Sequence, residues 1–265
     1  MTIPSAQANR LQAPPRLSLL GVGIDNITTV DTLDLIDASI VRREALPLAF
    51  VNADCLNKAV DDRAYRRTLA SMARVLPDGI GVKLGARMGG LRIRENVNGT
   101  DLFPLLCERL SREGRRLCLY GAAPGVAADV AAWVGRHYPG VTMCGAFDGF
   151  TLAAEDVVDR IRDAQPDVLL VALGAPRQEQ WIATHAAATG VPVAIGVGGL
   201  FDFYSGRIPR APMWMRRTGL EWVYRLWQEP RRMWRRYLVG NVVFLARVWR
   251  DRERTRRASR VEAEA

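Results

Sequence analysis

Histidine and cysteine are scarce in this chain of 265 residues: two histidines, His137 and His185, and four cysteines, Cys55, Cys107, Cys118 and Cys144, with no CxxC pair. That scarcity excludes the familiar zinc-ligand spacings and a disulfide framework, and fits reduced, mostly buried thiols in a cytosolic protein. There is no DxD pair to hold a metal-bound diphosphate and no GxGxxG turn, so no metal and no cofactor are expected. Met1 to Arg16 has no apolar stretch of the kind found in signal peptides, and none is expected. Long hydrophobic runs are missing too. The longest uncharged run in the tail is Tyr237 to Ala246, well short of the roughly twenty apolar residues a membrane-crossing helix needs.

Lysine is absent from the last quarter, and arginine takes its place. Between Gly206 and Arg260 there are sixteen Arg against four acids, Glu221, Glu229, Asp251 and Glu253. Everything before Gly206 is close to neutral, so the net charge of +9 belongs to the tail. Five of the seven Trp (Trp214, Trp222, Trp227, Trp234 and Trp249) also lie there. A pI near 10.0 with this distribution points to three partner classes: nucleic acid, an anionic membrane surface or a phosphate-bearing substrate.

The body reads as alternating short apolar strands and amphipathic helices. Strands are predicted at residues 17–24, Leu48–Val51, Arg116–Tyr120, Val141–Cys144, Asp167–Leu173 and Val191–Val197. Helices are predicted at about 30–43, from Leu56, and over Ile80–Met88, Asp101–Arg112, Val126–Tyr138, Ala154–Ala164 and Pro176–Thr189. That alternation predicts an α/β fold, a mostly parallel sheet with helices on both faces.

In open parallel sheets ligands bind beyond the carboxyl ends of the strands. Four polar or glycine-rich corners fall there, and all are expected on one rim: Asn52–Asp54, Pro77–Gly81, Gly121–Gly125 and Gly174–Gln178. Pro77-Asp78-Gly79 is an ordinary β-turn sequence, but on a ligand rim Asp78 is also a candidate general base. Gly121–Gly125 resembles a dinucleotide turn without its full pattern. Arg177, Gln178 and Glu179 occupy a helix's first turn, which suits a polar ligand as well as plain solvent. In the tail Met233, Trp234, Tyr237, Leu238, Asn241, Leu245 and Val248 recur at helical spacing. Such a stripe packs on its own domain, on a second copy as a homo-oligomer, or in the headgroup region of an anionic membrane.

In order along the chain, the segments Asn52-Ala-Asp54, Leu76-Pro-Asp-Gly79, Asn98-Gly-Thr-Asp101, Gly174-Ala-Pro-Arg-Gln-Glu-Gln-Trp181, Gly196-Val-Gly-Gly-Leu-Phe-Asp202, Arg210-Ala-Pro212 and Glu229-Pro-Arg-Arg232 resemble the WecG/TagA/CpsF glycosyltransferases. The resemblance spans about residues 17–248. It implies a Rossmann-like α/β domain with a C-terminal helical, membrane-associating appendage (GT-E type). The segments would be a disordered 1–16, a catalytic domain at 17–205, a basic appendage at 206–250 and a disordered tail at 251–265.

It also implies an inverting transfer of a hexose from a UDP-sugar to an undecaprenyl-diphosphate-linked saccharide. The enzyme would sit peripherally on the inner face of the cytoplasmic membrane, and no nucleic acid would be involved. By motif, Asp78 matches the catalytic base, Asn52 and Gln178 match pocket residues, and Arg225, Arg231 and Arg232 match appendage arginines thought to meet the donor diphosphate. One departure stands out: many members carry Glu-Arg-Val where this chain has Glu95-Asn96-Val97, with Arg94 as the neighbouring substitute. Two other classes compete with this reading, a nucleic-acid binder using the Arg/Trp tail and a nucleotide-dependent oxidoreductase using Gly121–Gly125.

Overall fold

The computed structural model describes residues 16–264, with the side chains of residues 217, 232 and 258–264 outside the described set. Of the segment 1–16 expected to be disordered, residues 1–15 lie outside the described residues and Arg16 begins a strand.

The first apolar run is not one strand. It folds back at residues 20 and 21 into a hairpin of β1 (Arg16–Leu19) and β2 (Val22–Asp25), paired antiparallel. The Asp25 carboxylate is buried beneath it and accepts the Val75 N–H at 2.7 Å, which ties the hairpin to the main sheet. Helix α1 (Thr29–Arg42) opens with Thr28 and Asp31 closing a reciprocal cap.

The main sheet has six strands: β3 (Leu46–Val51), β4 (Arg74–Pro77), β5 (Arg116–Gly121), β6 (Thr142–Phe147), β7 (Val168–Ala172) and β8 (Val193–Gly196). Their order is β4-β3-β8-β7-β5-β6, and every neighbouring pair is parallel. The sequence alternates faces at period two, as a strand buried on both sides requires. Ala49, Val51, Cys118, Tyr120, Leu169 and Val171 enter one core. Leu48, Phe50, Leu117, Leu119, Leu170 and Ile195 enter the other.

The first core is covered by α2 (Ala53–Asp61), α3 (Arg63–Ser71), α4 (Ile80–Met88), α7 (Ala154–Ala164) and α8 (Arg177–Thr189). The second is covered by α1, α5 (Gly99–Arg112), α6 (Val126–His137) and the short α9 (Leu200–Tyr204). The predicted α/β class, a parallel sheet with helices on both faces, is therefore the observed one.

After α9 the chain forms α10 (Met213–Arg217), α11 (Glu221–Gln228), α12 (Pro230–Trp234), a π-helical turn (Arg235–Val239) and α13 (Gly240–Glu264). The last helix continues through residues 251–264, where the sequence suggested a disordered tail. It lies on α4. Phe244 is fully buried over Gly85, where an added Cβ would stand 2.4 Å from the ring, so a side chain there would expel it. Arg252 donates to the Met88 carbonyl at 2.7 Å, and Arg247 pairs with Asp61 at 2.7 Å.

The expected apolar stripe divides in two. Met233 and Val248 are buried, whereas Trp234 and Leu238 are exposed. Met233 and Trp234 are neighbours on α12 and so point about 100° apart, and the wider π turn that follows puts a stripe counted at 3.6 residues further out of phase. Among the described residues no helix is long and apolar enough to cross a membrane.

Candidate active site

The chain leaves β3 through Asn52 and β4 through Asp78. These strands are neighbours, so the two corners meet at the sheet's carboxyl edge. Asn52 caps α2, its Oδ1 accepting the N–H groups of Asp54 and Cys55 at 3.1 Å each. The Asp78 N–H donates to the Val51 carbonyl at 2.9 Å, which ties the carboxylate's backbone to the end of β3. The next N–H, from Gly79, donates to Asn96 Oδ1 at 2.5 Å. Asp78 is thus held between the last residue of its neighbour strand and a loop amide.

Around these residues is a cavity of about 170 Å³. Its body wall includes Asn52, Asp54, Asp78, Asn96 and Thr100, and its other wall comes from the appendage: Arg216, Glu221, Trp222, Arg225, Arg236 and Tyr237. Ion pairs and hydrogen bonds fix that wall. Arg210 donates to Asp101 at 2.8 Å and lies 3.7 Å from Glu221. Arg216 reaches the same Asp101 oxygen at 3.5 Å. Arg236 stands 3.8 Å from Asp54, which Lys58 also holds at 2.9 Å. The Arg225 guanidinium lies over the Phe203 ring, 4.8 Å from its centroid. The Nε atoms of Arg216 and Arg225 are buried with no hydrogen-bond partner. A buried donor left in that state costs about 1–3 kcal/mol, which a bound anion would offset.

Asp78 is half-buried, and burial is the main reason its carboxyl is pushed up to about 6. The Arg236 and Arg225 guanidiniums pull it back down, while Glu221 and Asp101 push it further up. The outcome is a carboxylate that is ionised at neutral pH yet basic enough to accept a proton from an alcohol. Among the described residues no three His, Cys, Asp or Glu side chains lie close enough to hold a metal ion.

The structure brings together Asn52, Asp78 and Arg225, but not all the predicted site residues. Gln178 does not line the cavity. It is buried, its Oε1 accepting the N–H groups of Gly174 at 3.2 Å and Gly198 at 2.9 Å and its Nε2 donating to Glu179 at 2.7 Å. It braces the loops after β7 and β8, and Gly199, next to Gly198, lies against Arg225. Arg231 is exposed and outside the cavity. The side chain of Arg232 lies outside the described residues. Arg94 is turned away toward Asp31, 3.7 Å off, and does not line the cavity, whereas Asn96 does.

Of the four corners, only the first two line the cavity. At roughly 4.8 Å per strand, β5 is about 19 Å from β4, too far for Gly121–Gly125 to share it. Gly121 instead packs directly on the backbone of Ala172. Arg216, Glu221, Trp222 and Arg236 were missed by sequence reasoning, because spacing within an arginine-rich tail does not reveal which side chains turn inward.

The model of the glycosyl transferase WecG/TagA/CpsF family matches residues 17–258, nearly the whole described chain. The chain belongs to this family. Among relatives, the N-acetylglucosaminyldiphosphoundecaprenol N-acetyl-beta-D-mannosaminyltransferase of Bacillus subtilis strain 168 is 38% identical over 191 residues, covering 72% of this chain and 74% of the relative. The like-named protein of Staphylococcus aureus strain MW2 is 25% identical over 245 residues, 92% of this chain and 96% of the relative. This WecG/TagA/CpsF protein is accordingly a glycosyltransferase, and the cavity holding Asp78 is its candidate active site.

Proposed function

We propose that this glycosyltransferase moves a hexose from a UDP-sugar to a hydroxyl of a saccharide carried on undecaprenyl diphosphate, inverting the anomeric centre. The names of the relatives favour N-acetylmannosamine as the sugar, ahead of its uronic acid or glucose, and N-acetylglucosamine as the lipid-linked acceptor. The observation that carries this reading is a raised carboxyl, Asp78, facing three arginines of the appendage across one cavity.

The ionised Asp78 takes the proton of the acceptor hydroxyl as its oxygen bonds to C1 of the donor. The bond from C1 to the diphosphate breaks on the opposite face, and UDP departs with that electron pair. Arg216, Arg225 and Arg236 hold the growing negative charge, and their planar forks suit phosphate oxygens. Asn52 and Asn96 offer amide groups to the sugar. Carboxyl burial lifts the basicity of Asp78 without taking it out of its ionised form above about pH 6.

A lipid-linked acceptor also calls for a membrane face, and the appendage has the composition for one. Trp214, Trp227, Trp249 and Val242 are exposed, as are Arg231, Arg235, Arg250 and Arg254. Aromatic groups with arginine suit the headgroup region of an anionic bilayer, where each nearby cation contributes about 1 kcal/mol. The enzyme would then act peripherally at the inner membrane face. The test is transfer from a panel of UDP-sugars to a short-chain lipid-diphosphate N-acetylglucosamine. An inverted disaccharide product is expected, and a protein that transfers from none of the UDP-sugars would overturn the reading.

A further inference from the structure

A second cavity, of about 750 Å³, opens beside the first along the outer side of α4 and the loop that follows it. Four cations line it, Lys83, Arg87, Arg92 and Arg94, and no acidic side chain does. Arg94 has Asp31 3.7 Å away. The other three side chains make no ion pair or hydrogen bond among the described residues. Lys83 and Arg87 stand four apart on one helix, where like charges repel and nothing adjacent offsets them. Ile80 and Leu84 line the same groove and are about half exposed, 47% and 48%. Clustered cations beside exposed aliphatic groups match an amphiphile with an anionic head.

The position of the groove ties it to the chemistry. Ile80 lines both cavities and follows Asp78 by two residues. At about 1.5 Å per residue, Lys83 lies about 4.5 Å and Arg87 about 10 Å along α4 from Ile80. A sugar with its hydroxyl at Asp78 would therefore carry its own phosphates onto Lys83 and Arg87. On the glycosyl-transfer reading the cations of the first cavity hold the donor diphosphate, so a second diphosphate needs a second set. Gly219 of the appendage lies against Ile80, which places the two cationic sets on either side of one junction.

We propose that this groove binds the diphosphate of the polyprenyl-linked acceptor, with Lys83 and Arg87 on the phosphates and Ile80 and Leu84 on the start of the prenyl chain. This rests on the glycosyl-transfer reading above for the identity of the acceptor, though not for the groove's affinity for a prenyl diphosphate. A phospholipid headgroup offers similar phosphate chemistry, and the test separates the two.

The full-length wild type and the Lys83→Gln/Arg87→Gln double variant are compared in three measurements. These are calorimetric binding of farnesyl diphosphate, calorimetric binding of UDP, and pelleting with phosphatidylglycerol/phosphatidylcholine vesicles. Both substituted side chains are exposed, so the variant is expected to fold as the wild type does.

Loss of two charge-assisted contacts should weaken farnesyl diphosphate binding about tenfold or more, with UDP binding and vesicle pelleting changed less than about twofold. Unchanged farnesyl diphosphate binding, or none by the wild type, overturns the proposal. So does a loss matched by an equal loss of pelleting, which would make the groove a general headgroup site. If the predicted binding pattern appears while the wild type transfers from no UDP-sugar, the groove stands and the functional reading falls.

Discussion

Before Gly206 the inner strands are largely buried on both faces and the helices contribute apolar side chains to one of two cores. After Gly206 the buried hydrophobic residues among those described are Ala211, Met233, Phe244 and Val248, and α11 and the π turn bury none. The body is held mainly by its own interior, to which the appendage adds Phe244 and Val248. The appendage is held by what it touches on the body: Phe244 over Gly85, Arg210 and Arg216 on Asp101, Arg247 on Asp61 and Arg252 on Met88. A region anchored by a few aromatic and guanidinium contacts can present many unspent arginines and tryptophans to ligand and membrane, which a self-sufficient core could not.

The contrast can be attacked first in the body. Asp78→Asn should lower transfer by about a thousandfold or more, within the range general-base removal produces. In the wild type, kcat/KM should fall tenfold per pH unit below about 6, where Asp78 becomes protonated. The same group gives a stability signature. Its folded value, about 6, lies above the unfolded 3.8, so its contribution is fully present below pH 3.8 and is lost as pH rises through 6. Asp78→Asn should therefore be more stable than wild type at pH 7.5, by about 2–3 kcal/mol at most, and no more stable at pH 3.5. Denaturant melts at the two pH values check the sign.

The next break is at the seam between the regions. Phe244→Ala should cost about 3–5 kcal/mol of local stability, as large aromatic truncations do, and free α13 while leaving the sheet intact. Hydrogen exchange that rises in α13 and stays slow in β3 and β7 would show this, with transfer falling alongside. Equal acceleration everywhere would mean that the two regions unfold as one.

A smaller effect sharpens the body's side of the comparison. Gln178→Ala leaves the N–H groups of Gly174 and Gly198 without their acceptor, at about 1–3 kcal/mol of stability. Its donor KM should change less than about threefold, the pattern of a brace and not of a contact. A hundredfold loss of activity with unchanged stability would return Gln178 to the substrate. The smallest effect is expected on the outer surface. Trp227→Ser should weaken pelleting with anionic vesicles by a few-fold and leave the melting temperature unchanged, because this side chain is 78% exposed.

Much of the body was legible in its sequence, since period-two and period-3.6 patterns report burial directly. The corners at Asn52 and Asp78 were legible because adjacent strands deliver them. Three features were not. The β1–β2 hairpin turns inside an apolar run, so periodicity reads one strand. Gln178 sits in a helix's first turn whether it faces ligand or lattice of loop amides, and only the β7–β8 pairing decides between them. In the appendage the π turn at Arg235–Val239 breaks the helical count, which hid both the burial of Phe244 and the inward turn of Arg236. Where packing is sparse, local pattern carries little of the answer.

We infer a division of labour in which the body supplies the base and the appendage supplies the charge that holds the nucleotide. Calorimetric titration of UDP into Asp78→Asn and Arg225→Ala tests it most directly. UDP affinity should stay near wild type in Asp78→Asn, whose transfer should fall by about a thousandfold or more, and should drop at least about tenfold in Arg225→Ala. Wild-type UDP affinity in Arg225→Ala, together with normal transfer by Asp78→Asn, would contradict it.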